Sequence, residues 1–263
     1  MIDFHNHILP NVDDGSKSLE MSLNMLKEAE RQGITDIVNT VHFQHPKMEG
    51  KKIDFSIIKK ATLELQHSLD INDIDLKIHI GAEVFFLPDL LDIKLDKLAV
   101  FNHGKYMLIE CFPFHLPPNF SDEFYKLKLS GTTPIFAHPE RNKVIQGDIN
   151  IIEKLISSGT LIQIDAGSIL GHFGLKCKNV ALELLTRDMV HFIGSDAHND
   201  KKRNFCLAPA IDVIRKIIGE NVKVLTKDNP QKLLSGEEIS PFQVIKTKKK
   251  DYLTNVFKKN FKF

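Results

Sequence analysis

Residues 2–7 read Ile2-Asp3-Phe4-His5-Asn6-His7, and residues 36–42 read Asp36-Ile37-Val38-Asn39-Thr40-Val41-His42. Each is a short run rich in β-branched and aromatic residues that ends on histidine. Between them Leu19, Leu23, Leu26 and Glu30 step at helical spacing, with Leu23, Leu26 and Ala29 as the apolar stripe and Gly33 as the stop. A strand-like run, a 3.6-residue period, a glycine and a second strand-like run together read as a strand–helix–strand unit.

The alternation continues along the chain. Strands are expected at Ile2–Phe4, Asp36–Thr40, Lys77–Ile80, Tyr106–Ile109, Pro134–Ala137, Leu161–Ile164 and His191–Ile193, with a late strand over Val222–Leu225. Helical patterns fall at Ile151–Ser158 and Val180–Arg187, and Asp228-Asn229-Pro230 opens a short capped helix that Gly236 closes. Strands separated by helical crossovers pair in parallel. About seven such units predict a single-domain α/β fold, a closed or nearly closed barrel over residues 1–240; a doubly wound open sheet is the alternative. No GxGxxG or GxxxxGK[ST] occurs, so no nucleotide-binding loop is predicted.

Bulk properties exclude more than they specify. In 263 residues, 42% hydrophobic and 26% charged, the net charge is +1, and no global field points to nucleic acid or a lipid surface. No apolar run reaches the ~18 residues of a membrane span. The start of the chain lacks the basic-then-apolar pattern of a secretory signal. Cys111, Cys177 and Cys206 are too few and too scattered for a disulfide scaffold, so a cytoplasmic setting is expected. Residues 241–263 change character: Lys246, Lys248, Lys249, Lys250, Lys258, Lys259 and Lys262 alternate with Phe257, Phe261 and Phe263. A solvated tail or terminal helix is the simple reading, and a segment docking on an acidic partner or anionic lipid the sharper one.

Chemistry gathers at the strand ends. His5 and His7 follow the first strand and His42 the second. Glu83 follows the third, Glu110 ends the fourth and His138 the fifth, and Asp196 and His198 follow the seventh. In a parallel barrel all these positions lie at the C-terminal mouth, where such folds build their sites. A single His-x-His or a lone strand-end glutamate would mean little. Six strands delivering imidazoles and carboxylates to one rim predict a metal cluster. Residues two apart on extended chain point the same way, so His5 and His7 reach one ion. Mixed nitrogen and oxygen donors suit zinc, manganese or iron. Asp13-Asp14-Gly15 is a turn that offers a further carboxylate. His45, His67, His79, His103, His115, His172 and His191 are read as structural or surface residues, with His45 and His115 the candidates for exception.

These residues resemble the polymerase-and-histidinol-phosphatase (PHP) superfamily, above all its bacterial protein-tyrosine phosphatases of capsule and exopolysaccharide systems. The resemblance is carried by His5-Asn6-His7-Ile8-Leu9-Pro10-Asn11-Val12-Asp13-Asp14-Gly15-Ser16-Lys17, Gly81-Ala82-Glu83, His138-Pro139-Glu140-Arg141, Gly194-Ser195-Asp196-Ala197-His198 and Asn229-Pro230-Gln231-Lys232-Leu233-Leu234. It implies a distorted (β/α)7 TIM-like barrel with three divalent ions, manganese above iron or zinc. It further implies His5, His7, Glu83 and Asp196 around one ion. Glu110 and His138 would join Glu83 at a second, and Asp14, His42 and His198 would hold a third. Arg141 matches a phosphate-contacting arginine, and Arg203 is a second, less securely aligned. Val41 stands where a proline commonly precedes the histidine, and residues 246–263 match no family motif.

The implied activity is hydrolysis of phosphotyrosine on a protein, in this family a tyrosine autokinase at the inner membrane face, by a metal-activated hydroxide. A phenol leaves with a pKa of about 10, so such an ester needs less help from a general acid than an alkyl phosphate. The same cluster also fits a small-molecule phosphatase such as one for histidinol phosphate, and, outside enzymology, a metal-stabilised binding module. A cysteine nucleophile is excluded by spacing. The arginine it requires six positions on is replaced by Pro117 after Cys111, Glu183 after Cys177 and Asp212 after Cys206.

Overall fold

A computed structural model describes residues 1–101 and 104–242. The elements run β1 (Ile2–Asp3), α1 (Leu19–Arg31), β2 (Asp36–Phe43), α2 (Phe55–Ile71), β3 (Lys77–Phe85), α3 (Leu90–Ile93), β4 (Tyr106–Glu110), α4 (Phe120–Leu129), β5 (Thr133–Ala137), α5 (Asn150–Ser157), β6 (Leu161–Asp165), α6 (Ala166–Leu170), α7 (Leu175–Thr186), β7 (Phe192–Gly194), α8 (Leu207–Ile218) and α9 (Asn229–Ser235). The strands form one seven-stranded sheet in the order β1-β2-β3-β4-β5-β6-β7, every pairing parallel. A doubly wound sheet would reverse its order at a switch point, and none occurs here. The two outer strands are joined beyond their ends by a parallel bridge between Asn6 and Ala197. His7 N donates to Ala197 O at 2.9 Å and Asp196 N to His5 O at 2.7 Å, which brings the barrel nearly to closure.

Two cores follow from the period-two alternation along the strands. Ile2, Phe4, Val38, Leu108, Ile135, Ala137, Leu161 and Phe192 pack together as the filling of the barrel, joined by Phe101. Their strand neighbours Ile37, Met107, Ile109, Phe136, Ile162, Ile164 and Ile193 belong to the larger core between sheet and helices. Phe4 stacks on Phe192 with centroids 4.5 Å apart and meets Phe101 at 5.4 Å, so aromatic rings plug the lower half of the barrel. Gly81 makes room for this plug, because a Cβ there would lie 2.5 Å from the Phe101 ring. Further along each strand the inward residues turn polar: Thr40 and His42, Glu83, Glu110, Gln163 and Asp165, then Asp196. The site is the polar upper layer of a barrel whose lower layers are apolar.

Strand boundaries shift from expectation: β1 stops one residue short, at Asp3, whereas the next two strands run longer. β2 and β3 run on to Phe43 and Phe85, so His42 and Glu83 lie inside strands, near their ends. Polar inward residues lower strand propensity, but the flanking strands supply the hydrogen bonds that keep the chain extended. The late strand over Val222–Leu225 is absent. Residues Gly219–Asn221 form a 3-10 turn and Val224–Asp228 a π-helical turn. Val222 and Leu225 are buried at a spacing of three, which suits one helical face and not alternating sides of a strand. α2, α4 and α8, for which no helical pattern was singled out, complete the outer ring. No helix among the described residues is long and apolar enough to cross a membrane. The basic aromatic segment 246–263 lies outside the described residues.

Candidate metal centre

The chain turns sharply at the barrel mouth. α1 begins at Ser18, whose side chain accepts from Met21 N, and Ser22 of its first turn donates to Ile8 O at 2.6 Å, holding the loop that follows His7. Gly15 belongs there because a Cβ would sit 2.2 Å from His7 O. His138 and Asp196 each take a left-handed backbone, with φ of 33° and 49°. Such values are costly for residues with a Cβ and persist where surrounding structure imposes them. Both are the first or second residue past a strand, where the turn aims the side chain into the mouth.

The predicted residues converge. Glu83 is the hub: its Oε2 lies 3.3 Å from His5 Nε2, 3.4 Å from His7 Nε2 and 3.2 Å from His42 Nδ1, and its Oε1 2.7 Å from His138 Nε2. Asp196 Oδ1 is 3.6 Å from His5 Nε2, 3.4 Å from His7 Nε2 and 3.4 Å from His198 Nδ1. Asp14 Oδ1 faces His42 Nε2 at 3.2 Å and His198 Nε2 at 3.4 Å. Among the described residues four donor sets are compact enough to hold an ion: His7–Asp14–His42–His198, His5–His7–Asp196, His5–Glu83–His138 and His42–His45–Glu110. Glu110 is therefore grouped with His42 and His45, at 3.0 and 3.5 Å, whereas the implied partition sets it beside His138. His45, named as a candidate exception, lies in the cluster.

Unpartnered polar atoms test the fit. His5 Nε2, His7 Nε2, Asp14 Oδ1, His42 Nδ1, Glu110 Oε1 and Asp196 Oδ1 are buried and have no hydrogen-bond partner. A buried polar atom without a partner costs about 1–3 kcal/mol, and these six gather at the barrel mouth from four segments of the chain. Cations between them would satisfy all six, so the donor set fits divalent metal ions.

The electrostatics agree. Burial opposes charge on His5, yet Glu83 and Asp196 raise its pKa. Burial and then Arg141 oppose it on His138, yet Asp165 and Glu83 carry that pKa up to about 9. His42 is likewise driven far up against its burial by Asp14, Glu110 and Glu83. Burial raises Glu83, but His5, His138 and His42 hold it well below the usual carboxylate range. The carboxylates thus demand positive charge at the positions where ions fit.

A supporting layer was not foreseen. Asp13, quoted only as part of a turn, accepts from His7 Nδ1 at 2.8 Å, His42 N at 3.1 Å and Gly15 N at 2.9 Å. Gln163 Oε1 pairs with His5 Nδ1 at 3.0 Å and accepts from His138 N at 3.3 Å. Asp3, buried beneath them, accepts from Asn6 Nδ2, His5 N and Ser195 N. Burial raises the Asp3 pKa to about 6 despite those donors. The sixth strand gave no candidate in the sequence, yet Gln163 and Asp165 sit on it at inward spacing, and that spacing was the available signal.

Both candidate arginines meet the cluster. Arg141 Nη1 donates to Asp165 Oδ2 at 2.9 Å and Asp196 Oδ2 at 2.5 Å, and Arg203 Nη2 to the same Asp196 Oδ2 at 2.5 Å. They cap the outer oxygen of Asp196 and leave Oδ1 to the histidines. Phe173 lies 4.5 Å from the Arg141 guanidinium and 5.8 Å from that of Arg203, under both. The cysteines stay apart from this chemistry: all three are buried and free, and burial pushes the Cys206 thiol up to about 12. His79 pairs with Asp36 at 2.8 Å and buried His191 with Pro241 O at 2.9 Å, both structural as expected.

Against known proteins, the sequence pattern of the capsular polysaccharide synthesis family CpsB/CapC matches residues 1–235. The tyrosine-protein phosphatase YwqE of Bacillus subtilis is 35% identical over 253 residues, covering 95% of this chain and 98% of that protein. A crystal structure from work on YwqE and on CpsB of Streptococcus pneumoniae, described as metal-dependent tyrosine phosphatases, superposes with a TM-score of 0.85 at 33% identity, over 91% of this chain and 96% of that one. Histidinol phosphate phosphatase of Lactococcus lactis aligns with a TM-score of 0.53 at 16% identity over 82% and 92% of the two chains, a likeness of fold.

Proposed function

This chain belongs to the CpsB/CapC family of capsular polysaccharide synthesis, and from that premise we propose that it is a metal-dependent tyrosine-protein phosphatase. The observation that carries the reading is the ring of unpartnered buried nitrogen and oxygen atoms from His5, His7, Asp14, His42, Glu110 and Asp196. With His45, Glu83, His138 and His198 they hold three divalent ions, manganese above iron or zinc. Bound ions supply a water acidified to near neutrality and charge to offset that of a phosphoryl group.

The chain's own residues do the rest. Asp13 and Gln163 fix the orientation of His7 and His5, so that each presents Nε2 to the mouth. Arg141, anchored by Asp165, and Arg203 hold their guanidiniums at the edge of the cluster, where planar forks match phosphoryl oxygens and the charge that develops on them. Phe173 beneath both keeps them from swinging into solvent. No side chain need protonate a phenolate leaving group, which fits the absence of an obvious acid among the described residues of the mouth.

The substrate is phosphotyrosine on a protein, and a tyrosine autokinase at the inner membrane face is the partner this reading names, with the enzyme acting from the cytoplasm. Residues 1–240 form the catalytic unit in this reading, and the lysines of the basic segment 241–263 suit an acidic partner. The test is hydrolysis of a phosphotyrosine peptide by manganese-loaded protein, abolished by a chelator and by His5→Ala. Full rate in His5→Ala would end the proposal.

A further inference from the structure

Directly after Glu110 the chain reads Cys111-Phe112-Pro113-Phe114-His115. Phe112 is 40% and Phe114 74% exposed, which core packing does not account for. Both line a cavity of about 480 Å³ whose walls also include Glu110, His138 and Arg141. One hollow is therefore shared by candidate metal-binding side chains and by exposed aromatic rings.

The wall is built, not incidental. Phe112 stands edge-on to Phe85 with centroids 4.5 Å apart and stacks on His115 at 5.1 Å. Asn142, the residue after Arg141, donates through Nδ2 to Phe112 O at 2.7 Å and to His115 O at 3.3 Å, and Lys143 N donates to Pro113 O at 2.7 Å. The aromatic loop and the arginine are thus held in one register by hydrogen bonds to the loop's carbonyls.

Resting on the phosphatase reading above, we propose that Phe112 and Phe114 are the specificity-determining wall that receives the phenyl ring of the phosphotyrosine side chain. The ring of that substrate is one ester oxygen from phosphorus. A phosphoryl group held between the cluster and Arg141 therefore places the ring against the aromatic side chains of the same cavity, where edge and face contacts favour it. An alkyl phosphate meets the polar side chains alone and gains nothing from the wall.

Phenylphosphonate and methylphosphonate, which cannot be hydrolysed, separate the two kinds of contact. Titrated calorimetrically into manganese-loaded full-length protein, phenylphosphonate binds about tenfold tighter than methylphosphonate. In Phe112→Ala/Phe114→Ala that preference falls to near one while methylphosphonate affinity is unchanged. Phe114→Ala alone, at a largely exposed position, gives a partial loss without risk to the fold. Turnover of a phosphotyrosine peptide is measured on the same preparations. Wild-type turnover with an unchanged preference in the double variant overturns the wall and leaves the phosphatase reading intact. No turnover by the wild type overturns both.

Discussion

Asp13 Oδ2 lies 2.8 Å from His7 Nδ1, and the same carboxylate accepts from the backbone of His42 and Gly15. One side chain therefore sets the tautomer and tilt of one proposed ligand and the position of another. Partners of this kind orient metal-binding imidazoles and raise their basicity. Asp13→Asn keeps the shape but weakens this hold, and manganese affinity measured by calorimetry is expected to fall about 10- to 100-fold. Unchanged affinity would make Asp13 a turn residue only.

Metal binding is expected to release protons. His138 is held at a pKa of about 9 and is charged at neutral pH in the metal-free protein, but only the neutral imidazole binds a cation. The folded pKa is raised, so protons compete with metal below it and affinity climbs as pH rises toward about 9. Titrations at pH 7 in two buffers of different ionisation enthalpy read the released protons directly. Equal heats in both buffers would contradict the charged resting state.

Gly194 touches the cluster from β7. A Cβ there would stand 2.4 Å from His5 Cβ and 3.0 Å from His5 N, neither of which can move freely in a closed mouth. Gly194→Ala is expected to cost about 1–3 kcal/mol of stability, as overpacking does, and to lower metal affinity by shifting His5. Denaturant unfolding of the metal-free protein and metal titration measure the two effects separately.

Arg141 and Arg203 share Asp196 Oδ2, so they act as a unit. Arg141→Ala is expected to lower kcat on a phosphotyrosine peptide by about 10²–10³-fold. Adding Arg203→Ala costs less than its single effect, because residues acting together are not additive. Strictly multiplicative losses would mean that the two serve separate steps.

Far from the mouth, His191 offers a pH test of the fold. Its Nδ1 accepts from Ile162 N at 3.0 Å, its Nε2 donates to Pro241 O, and burial lowers its pKa to about 4. The unfolded chain binds a proton near pH 6.5 that the folded chain refuses until about pH 4. The stabilising contribution is therefore present above pH 6.5 and lost on acidification through that window, about 3 kcal/mol in all. His191→Asn should flatten the pH dependence of urea stability between pH 7 and 4.5 relative to wild type. An identical slope would rule the residue out.

Much of this was legible in the chain. Strand runs, helical periods and their alternation pointed to about seven parallel units, the family resemblance to a (β/α)7 barrel, and strand-end positions alone nominated His5, His7, His42, Glu83, Glu110, His138, Asp196 and His198. His45 was visible only as a candidate exception among the structural histidines, and Arg203 only through the family resemblance. Gln163 and Asp165 passed unremarked, because a polar residue inside an apolar strand carries no label of its purpose.

What the sequence determined by itself is periodicity and chemistry: which residues face inward, and which of those are donors, because both are local properties of the chain. What only the tertiary structure decided is distance. Glu110 meeting His42 and His45, the aromatic loop registered to Arg141 through Asn142, and the helical fate of Val222–Leu225 all depend on how strands stagger around a barrel and which core is left to fill. Those are sums over residues remote in sequence, and no local pattern encodes them.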